Sequence, residues 1–329
     1  LYAVPLFPDF PTMQYRRDLV KEAGYDPEGE NWATESMTWK RFSKITKDVV
    51  ETTGTRYGFT FQADVYEGLA CCDFNEFMSG WGGAYFGGLE NLFGPIGDRP
   101  VTVDEDAVLN SVKMIRTFLH GPDAANTLDG YAGPISPQGV LQWTEEPSRK
   151  PFTSGDAVMH RNWPYSIIIN GADDVFGTDL GVMPIPYAVS ETDAKYDGTG
   201  GPVAALGGWH MTVNPNSRDL DACRAVLRAM MKREFKLKLF QAVGLIPPEP
   251  KILEPDAVTE IPVIGRHIDA IRVAGQNAVP RPVRAVWPLE STKTAQSVHA
   301  AYAGDGAPSE ALASLKRDLG MIERYNQSP

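Results

Sequence analysis

Residues Ser154–Asn170 read SGDAVMHRNWPYSIIIN. An apolar-alternating run through Val158 and His160 ends at Asn162, and Trp163, Pro164 and Tyr165 follow. The alternation predicts a strand. Asn162 is placed to cap a new helix, and Pro164 suits its first turn. Trp163 therefore stands at a strand-to-helix junction, and in α/β sheets such junctions face the ligand crevice. A ring fixed there offers a flat face with little freedom left to lose. A single tryptophan is more often core than platform, so its company elsewhere in the chain has to decide.

Upstream, TMQYRRDLVKEAG predicts a helix from about Thr12, stopped at Gly24. MTWKRFSKITKDVVETTG predicts another, capped by Thr38 and ended by Gly54. RYGFTFQ reads as a strand, YEGLACCDFNEFMS as an apolar-faced helix and GWGGAYFGG as a glycine-rich loop. VDEDAVLNSVKMIRTFLHG is amphipathic, with Asp104 as its cap and Gly121 as its stop. A Pro- and Gly-rich separator then runs from Pro122 to Pro151.

Downstream, DLGVMPIPY and AALGGWHMTVNP read as strands, the second approached by Gly207 and Gly208. A two-part helical region follows from Ser217 to Gly244, then a GLIPPEP turn, a helix over TEIPVIGRHIDAIRVAG and the crossing AVPRPVRAVWP. Two helices close the chain. Short strands alternating with longer helices predict α/β layers, and 329 residues suffice for two lobes.

Composition removes several classes. Thirty-one basic against 42 acidic residues give a net charge of −11 with no basic run, so nucleic acid is not an expected partner. The acidity reads as a soluble, repulsive surface or as adaptation to high salt. No apolar run is long enough to span a bilayer. The three cysteines, Cys71, Cys72 and Cys223, form neither a disulfide framework nor a zinc site and read as small buried hydrophobes. The histidines have no metal-ligand spacing, and no nucleophile elbow, P-loop or zinc-protease motif is present. No cofactor or metal is expected.

What remains is polar and aromatic groups at element ends. Trp209 follows paired glycines, which let another chain or ligand approach closely. Arg281, between Pro280 and Pro282, presents a planar fork of donors on a stiffened backbone. Asp9, between Pro8 and Pro11, offers two acceptors at a strand end. A pyranose suits this set: its C–H faces pack on rings, and its vicinal hydroxyls match a carboxylate and an arginine. Asp9 with Glu67 could instead be the carboxylate pair of a carbohydrate-active enzyme.

Taken in order, YAVPLFPDFPTMQYRRDLVKEAG, TWKRFSKITKDVV, YGFTFQADVYEGLACCDFNEFM, FTSGDAVMHRNWPY, GVMPIPY, ALGGWHMTVNPNS, GLIPP and AVPRPV resemble the extracellular solute-binding proteins of ABC importers. The likeness is to the sugar-binding branch that includes trehalose/maltose-binding proteins. The resemblance implies a two-lobed periplasmic-binding-protein (type II) α/β fold that closes by a hinge on one sugar, without catalysis. It implies that Asp9 accepts sugar hydroxyls, Trp163 and Tyr165 form a stacking wall, Gly208 and Trp209 add a backbone group and a second ring, and Arg281 donates to hydroxyls. Tyr66 and Glu67 lie close by in the same pattern, with a helix-start role equally open. Phe7 stands where relatives often carry tyrosine.

The resemblance further implies that 1–9 is a remnant of the N-terminal lobe with a hinge strand. It assigns 10–204 to the C-terminal lobe, 205–283 to N-terminal-lobe helices and the hinge return, and 284–329 to C-terminal-lobe helices. The first lobe lacks its N-terminal β-α-β units in this sequence, so the natural chain is expected to be longer, and Ala205–Pro280 to lack the sheet it packs on. The expected partners are a small carbohydrate and an ABC importer permease. The expected protein is an extracytoplasmic monomer, with the membrane reached only through a lipid anchor. A peptide, a polyamine or another non-sugar guest is the alternative ligand.

Overall fold

Val4–Asp9 forms strand β1, and the Pro8–Pro11 bend carries the chain into β2, Thr12–Arg16. The computed structural model describes residues 3–249, 251, 258–304 and 306–325. Leu1 and Tyr2 of the expected opening strand, and Pro250 of the GLIPPEP turn, lie outside them.

The helix expected from Thr12 begins later, as α1, Arg17–Glu22. Thr12, Met13, Gln14 and Tyr15 are all buried, so no alternating pattern marks the strand. Gln14 is satisfied inside the fold: Asn170 Nδ2 donates to its Oε1 at 2.8 Å, and its own Nε2 donates to Ser166. A polar side chain in a strand covered on both faces mimics the polar face of a helix.

The next elements are α2 (Trp39–Thr53), β3 (Tyr57–Thr60), α3 (Phe74–Gly80) and α4 (Asp106–His120). Helix α2 has the expected ends: Thr38 Oγ1 accepts from the Arg41 amide, and Gly54 takes the left-handed conformation at φ 70°. At α4 the N-cap is Glu105, not Asp104, whose carboxylate accepts from Lys316 Nζ at 2.9 Å. The expected Pro122–Pro151 separator contains a helix, α5 (Glu145–Thr153), with Pro151 in its last turn.

Ala157–Asn162 is β4 and Tyr165–Asn170 is α6. β5 (Leu180–Met183), β6 (Ala204–Ala205) and β7 (Gly207–Met211) follow. The two-part helical region is α7 (Leu220–Met230) and α8 (Arg233–Val243). A 3-10 turn at Ile264–His267 leads to α9 (Ile268–Gln276), then β8 (Ala278–Val279), α10 (Trp287–Ala303) and α11 (Pro308–Tyr325).

Among the described residues the largest sheet has the order β3-β4-β2-β5, with β3 parallel to β4 and β2 antiparallel to both its neighbours. One face carries the main core, where Trp39 packs edge-on against Phe42 and Phe77, and Phe59 stacks on Phe61. Each such fully buried ring contributes about 1.5–3 kcal/mol relative to exposure. A second cluster joins Phe152, Ala157, Ile167, Leu180 and Val182 to Phe240, Ile264, Ile268 and Ile271 of α8 and the α9 region.

The chain leaves this body as a two-stranded antiparallel ribbon, β1 with β7, which sets Asp9 opposite Gly207 and Phe7 opposite Trp209. Helix α7 beyond it is amphipathic, yet none of its residues is buried and Val226 is 55% exposed.

Candidate functional site

Where β4 ends, Asn162 is locked inside the fold and does not cap α6. Its Oδ1 accepts from the Trp163 amide at 2.8 Å, and its Nδ2 lies 2.9 Å from His160 Nε2. The N-cap position falls to Pro164, whose ring is compatible with helix entry, and Tyr165 is the first helical residue. Trp163 is thereby held at the junction by the backbone on both sides.

Beneath its ring lies Arg161, with the guanidinium carbon 4.9 Å from the ring centroid. Arg161 is fully buried. It donates from Nε to Glu76 Oε2 at 2.8 Å and from Nη2 to Glu76 Oε1 at 2.5 Å, and sits 3.3 Å from Asp73 Oδ2. Burial opposes its charge, but Asp73 and Glu76 hold it firmly protonated. Glu76 Oε1 also accepts from the Ala205 amide at 3.0 Å, which ties this charge cluster to β6.

Above Trp163 runs β7. A Cβ on Gly207 would meet the Trp163 ring at 2.7 Å, and one on Gly208 would meet the Phe7 carbonyl oxygen at 2.3 Å. Gly208 also has φ 128°, where side chains are rarely tolerated. The glycine pair is therefore what lets ring, ribbon and strand meet.

The result is a cavity of about 600 Å³ lined by Asp9, Tyr66, Glu67, Trp163, Tyr165, Gly208, Trp209 and Arg281, all eight residues that sequence reasoning singled out. Its size falls within the range usual for small-molecule sites. A neighbouring cavity of about 750 Å³ shares Phe7, Gly208 and Arg281 but is walled by six prolines and has no carboxylate. The smaller cavity holds the better chemistry for a hydroxylated guest.

Within it, Asp9 is 8% exposed, and its Oδ1 is buried without a hydrogen-bond partner. Burial pushes its carboxyl up to about 8, while the positive charge of Arg161 pulls the other way. Glu67 Oε1 accepts from Arg281 Nη1 at 2.6 Å and from Trp287 Nε1 at 3.2 Å, so Glu67 anchors the arginine at the rim. Tyr66 donates to Glu145 Oε1 at 3.0 Å and Tyr165 to Glu146 Oε1 at 2.7 Å. Burial raises both phenols, so both remain donors at neutral pH. Trp209 is 67% exposed, a ring held from one side only.

His160 is structural: buried, stacked on Phe152 and pushed down to about 3 by burial. His210 is exposed and lines the larger cavity. Five lining residues escaped sequence reasoning, Gly68 beside Glu67 among them. Cys71 and Cys72 lie on a π turn, Leu69–Asp73, that leaves no signature in the hydrophobic pattern. Glu145 and Leu245 reach the cavity from elements whose position only the tertiary fold sets.

The family model described as bacterial extracellular solute-binding protein matches residues 1–264. A curated relative from Deinococcus radiodurans, named "Probable ABC transporter-binding protein", is 26% identical over 98% of this chain and 69% of its own. Among solved structures, maltose-bound MalE3 of Thermotoga maritima superposes with a TM-score of 0.79 at 24% identity, covering 98% of this chain and 72% of that one. The GacH receptor of Streptomyces glaucescens, solved with and without acarbose, superposes at 0.74 with 21% identity over 98% and 71%. These likenesses show that the fold is that of the two-lobed binding proteins.

Proposed function

The chain belongs to the bacterial extracellular solute-binding proteins, and from that premise we propose that it is a non-catalytic sugar receptor of an ABC importer. The observation that carries the sugar reading is the cavity itself, walled by Trp163, Tyr165 and Trp209, rimmed by Arg281 and lined by Asp9, whose Oδ1 is buried without a partner. A carboxyl oxygen left without a partner calls for a donor, and vicinal hydroxyls supply donors. Indole and phenol faces suit the C–H faces of a pyranose.

The guest sits on the Trp163–Tyr165 wall, donates to Asp9, accepts from Arg281 and meets Trp209 last. In this reading 10–204 and 284–329 are one lobe and 1–9 with 205–283 the hinge and helices of the other, with α8 and α9 docked on the first lobe through Phe240, Ile264, Ile268 and Ile271. Closure is driven by a guest that touches both. The closed shape is what the permease reads, and the receptor works outside the cytoplasmic membrane as a monomer. No helix among the described residues is long and apolar enough to cross a membrane. A carboxylate pair for hydrolysis is disfavoured, because Glu67 already holds Arg281 and Trp287.

Tryptophan-fluorescence titration against a panel of mono- and disaccharides tests this. Saturable binding near the micromolar range, about 8 kcal/mol, is expected. A flat response to every sugar with a clear response to a peptide or polyamine overturns it. Turnover of an oligosaccharide that is lost on Asp9→Asn would replace the receptor with an enzyme.

A further inference from the structure

Cys71 and Cys72 have no part in the reading above, yet they line the same cavity as Asp9, Trp163 and Trp209. Both are free thiols, 4% and 5% exposed. Successive residues of an ordinary α-helix diverge by about 100°, which seldom lets two neighbours face one cavity. Here the chain makes the wider π turn Leu69–Asp73, a form frequent at functional sites. Both cysteines of the turn line the cavity, while Asp73, next in sequence, points to Arg161 at 3.3 Å. Arg281 lines the same cavity as the pair.

We propose that the Cys71–Cys72 pair is a thiol modification site in the wall of the ligand cavity, where a small disulfide and a sugar exclude one another. The proposal rests on the sugar reading of that cavity. A thiolate of the pair attacks one sulfur of the incoming disulfide. That S–S bond breaks, a mixed disulfide forms on the protein, and the other half leaves as a thiolate. The protein sulfur is oxidised and the departing sulfur reduced. An extracellular protein works where small disulfides persist.

The neighbouring cysteine is poorly placed to release the adduct. Consecutive Cα atoms are about 3.8 Å apart, short of the roughly 4.4 Å at which ordinary disulfides begin. The adduct therefore stays in the volume a sugar ring would fill. The Cys72 thiol is raised well above its usual range by its hydrogen bond with Cys71 and by burial, so modification speeds up as pH rises.

The test treats the whole chain with methyl methanethiosulfonate, with and without maltose, trehalose and the other sugars of the panel, and reads each cysteine by peptide mass. Cys223, partly exposed on α7 and 3.2 Å from Ser217 Oγ, is the internal control. At a sugar concentration about 100 times Kd, empty cavities fall to about 1%, so labelling of Cys71 and Cys72 should slow about a hundredfold while Cys223 is unchanged. The labelled protein should lose sugar binding, and reduction of the mixed disulfide with dithiothreitol should restore it. Protection by sugar in the unsubstituted chain is the second readout.

Labelling of the pair only after unfolding overturns the proposal, as does sugar binding that neither protects the pair nor suffers from the adduct. Ready labelling in a protein that binds no sugar overturns the sugar reading and the exclusion together, and leaves only an accessible thiol pair.

Discussion

Trp163 and Trp209 line one cavity from two differently built regions. Trp163 belongs to the body around the four-stranded sheet: Arg161 lies under its ring, Asn162 holds its amide, and Gly207 lies against its edge. Trp209 belongs to the two-stranded ribbon β1–β7, stands 67% exposed, and leads toward a helix with no buried residue. One ring is set before any guest arrives and the other must be ordered by it. The first should therefore supply affinity, and the second should return only what remains after its own ordering.

The harshest way to break this contrast is to remove what lies under the fixed ring. Arg161→Ala leaves Asp73 and Glu76 buried without their counter-charge, and the fold should lose about 3–5 kcal/mol in denaturant titration. A loss below about 1 kcal/mol would mean the cluster rearranges freely and Trp163 is not held by it. Next comes the ring itself: Trp163→Ala should weaken sugar binding by about 1–3 kcal/mol in calorimetric titration. Unchanged affinity returns Trp163 to the core.

The carboxylate gives an intermediate effect with a definite sign. Asp9 in the free protein is raised to about 8, so below that pH it holds a proton. Sugar hydroxyls donating to it favour the ionised form, and binding then releases the proton. Affinity should rise with pH by up to about 1.4 kcal/mol per unit and level off above about 8. The same shift acts on stability in the opposite direction. The native state holds this proton and the unfolded chain does not, so stability from this group falls between pH 4 and 8. An affinity profile flat from pH 5 to 9 would remove Asp9 from the set of hydroxyl acceptors. Smallest is Trp209→Ala, expected to weaken binding by less than about 1 kcal/mol. An effect equal to that at Trp163 would erase the contrast between the two regions.

The same contrast explains what could be read in advance. Helix α2 was legible because Thr38 and Gly54 mark its ends and one face is apolar; α7 and α8 were legible for similar periodic reasons. The strand Thr12–Arg16 was not, because burial on both faces erases alternation and Gln14 imitates a solvent face. Asp104 resembled a cap because its partner, Lys316, lies more than two hundred positions away. The residues that line the cavity left clearer marks than some of the elements. Asp9, Trp163, Trp209 and Arg281 each carry a proline or a glycine beside them, and those backbone signals survive in sequence. Cys71 and Cys72 carry no such signal, since a π turn depends on how the surrounding helix is packed.

The β1–β7 ribbon has a consequence for the range of guests. Gly207 is pressed against Trp163, so the ribbon is pinned at the rung it shares with Asp9, and Trp209 stands two residues further out. Two-stranded ribbons twist more readily than wider sheets. Twisting about that rung leaves the carboxylate where it is and swings the outer indole through an arc. On the sugar reading, the cavity would then have a fixed end for the first ring and an adjustable aperture for longer guests. Across a series of longer oligosaccharides, the cost of Asp9→Asn should stay constant while the cost of Trp209→Ala changes from guest to guest. A cost at Asp9 that varied with chain length would instead place the adjustment at the rung.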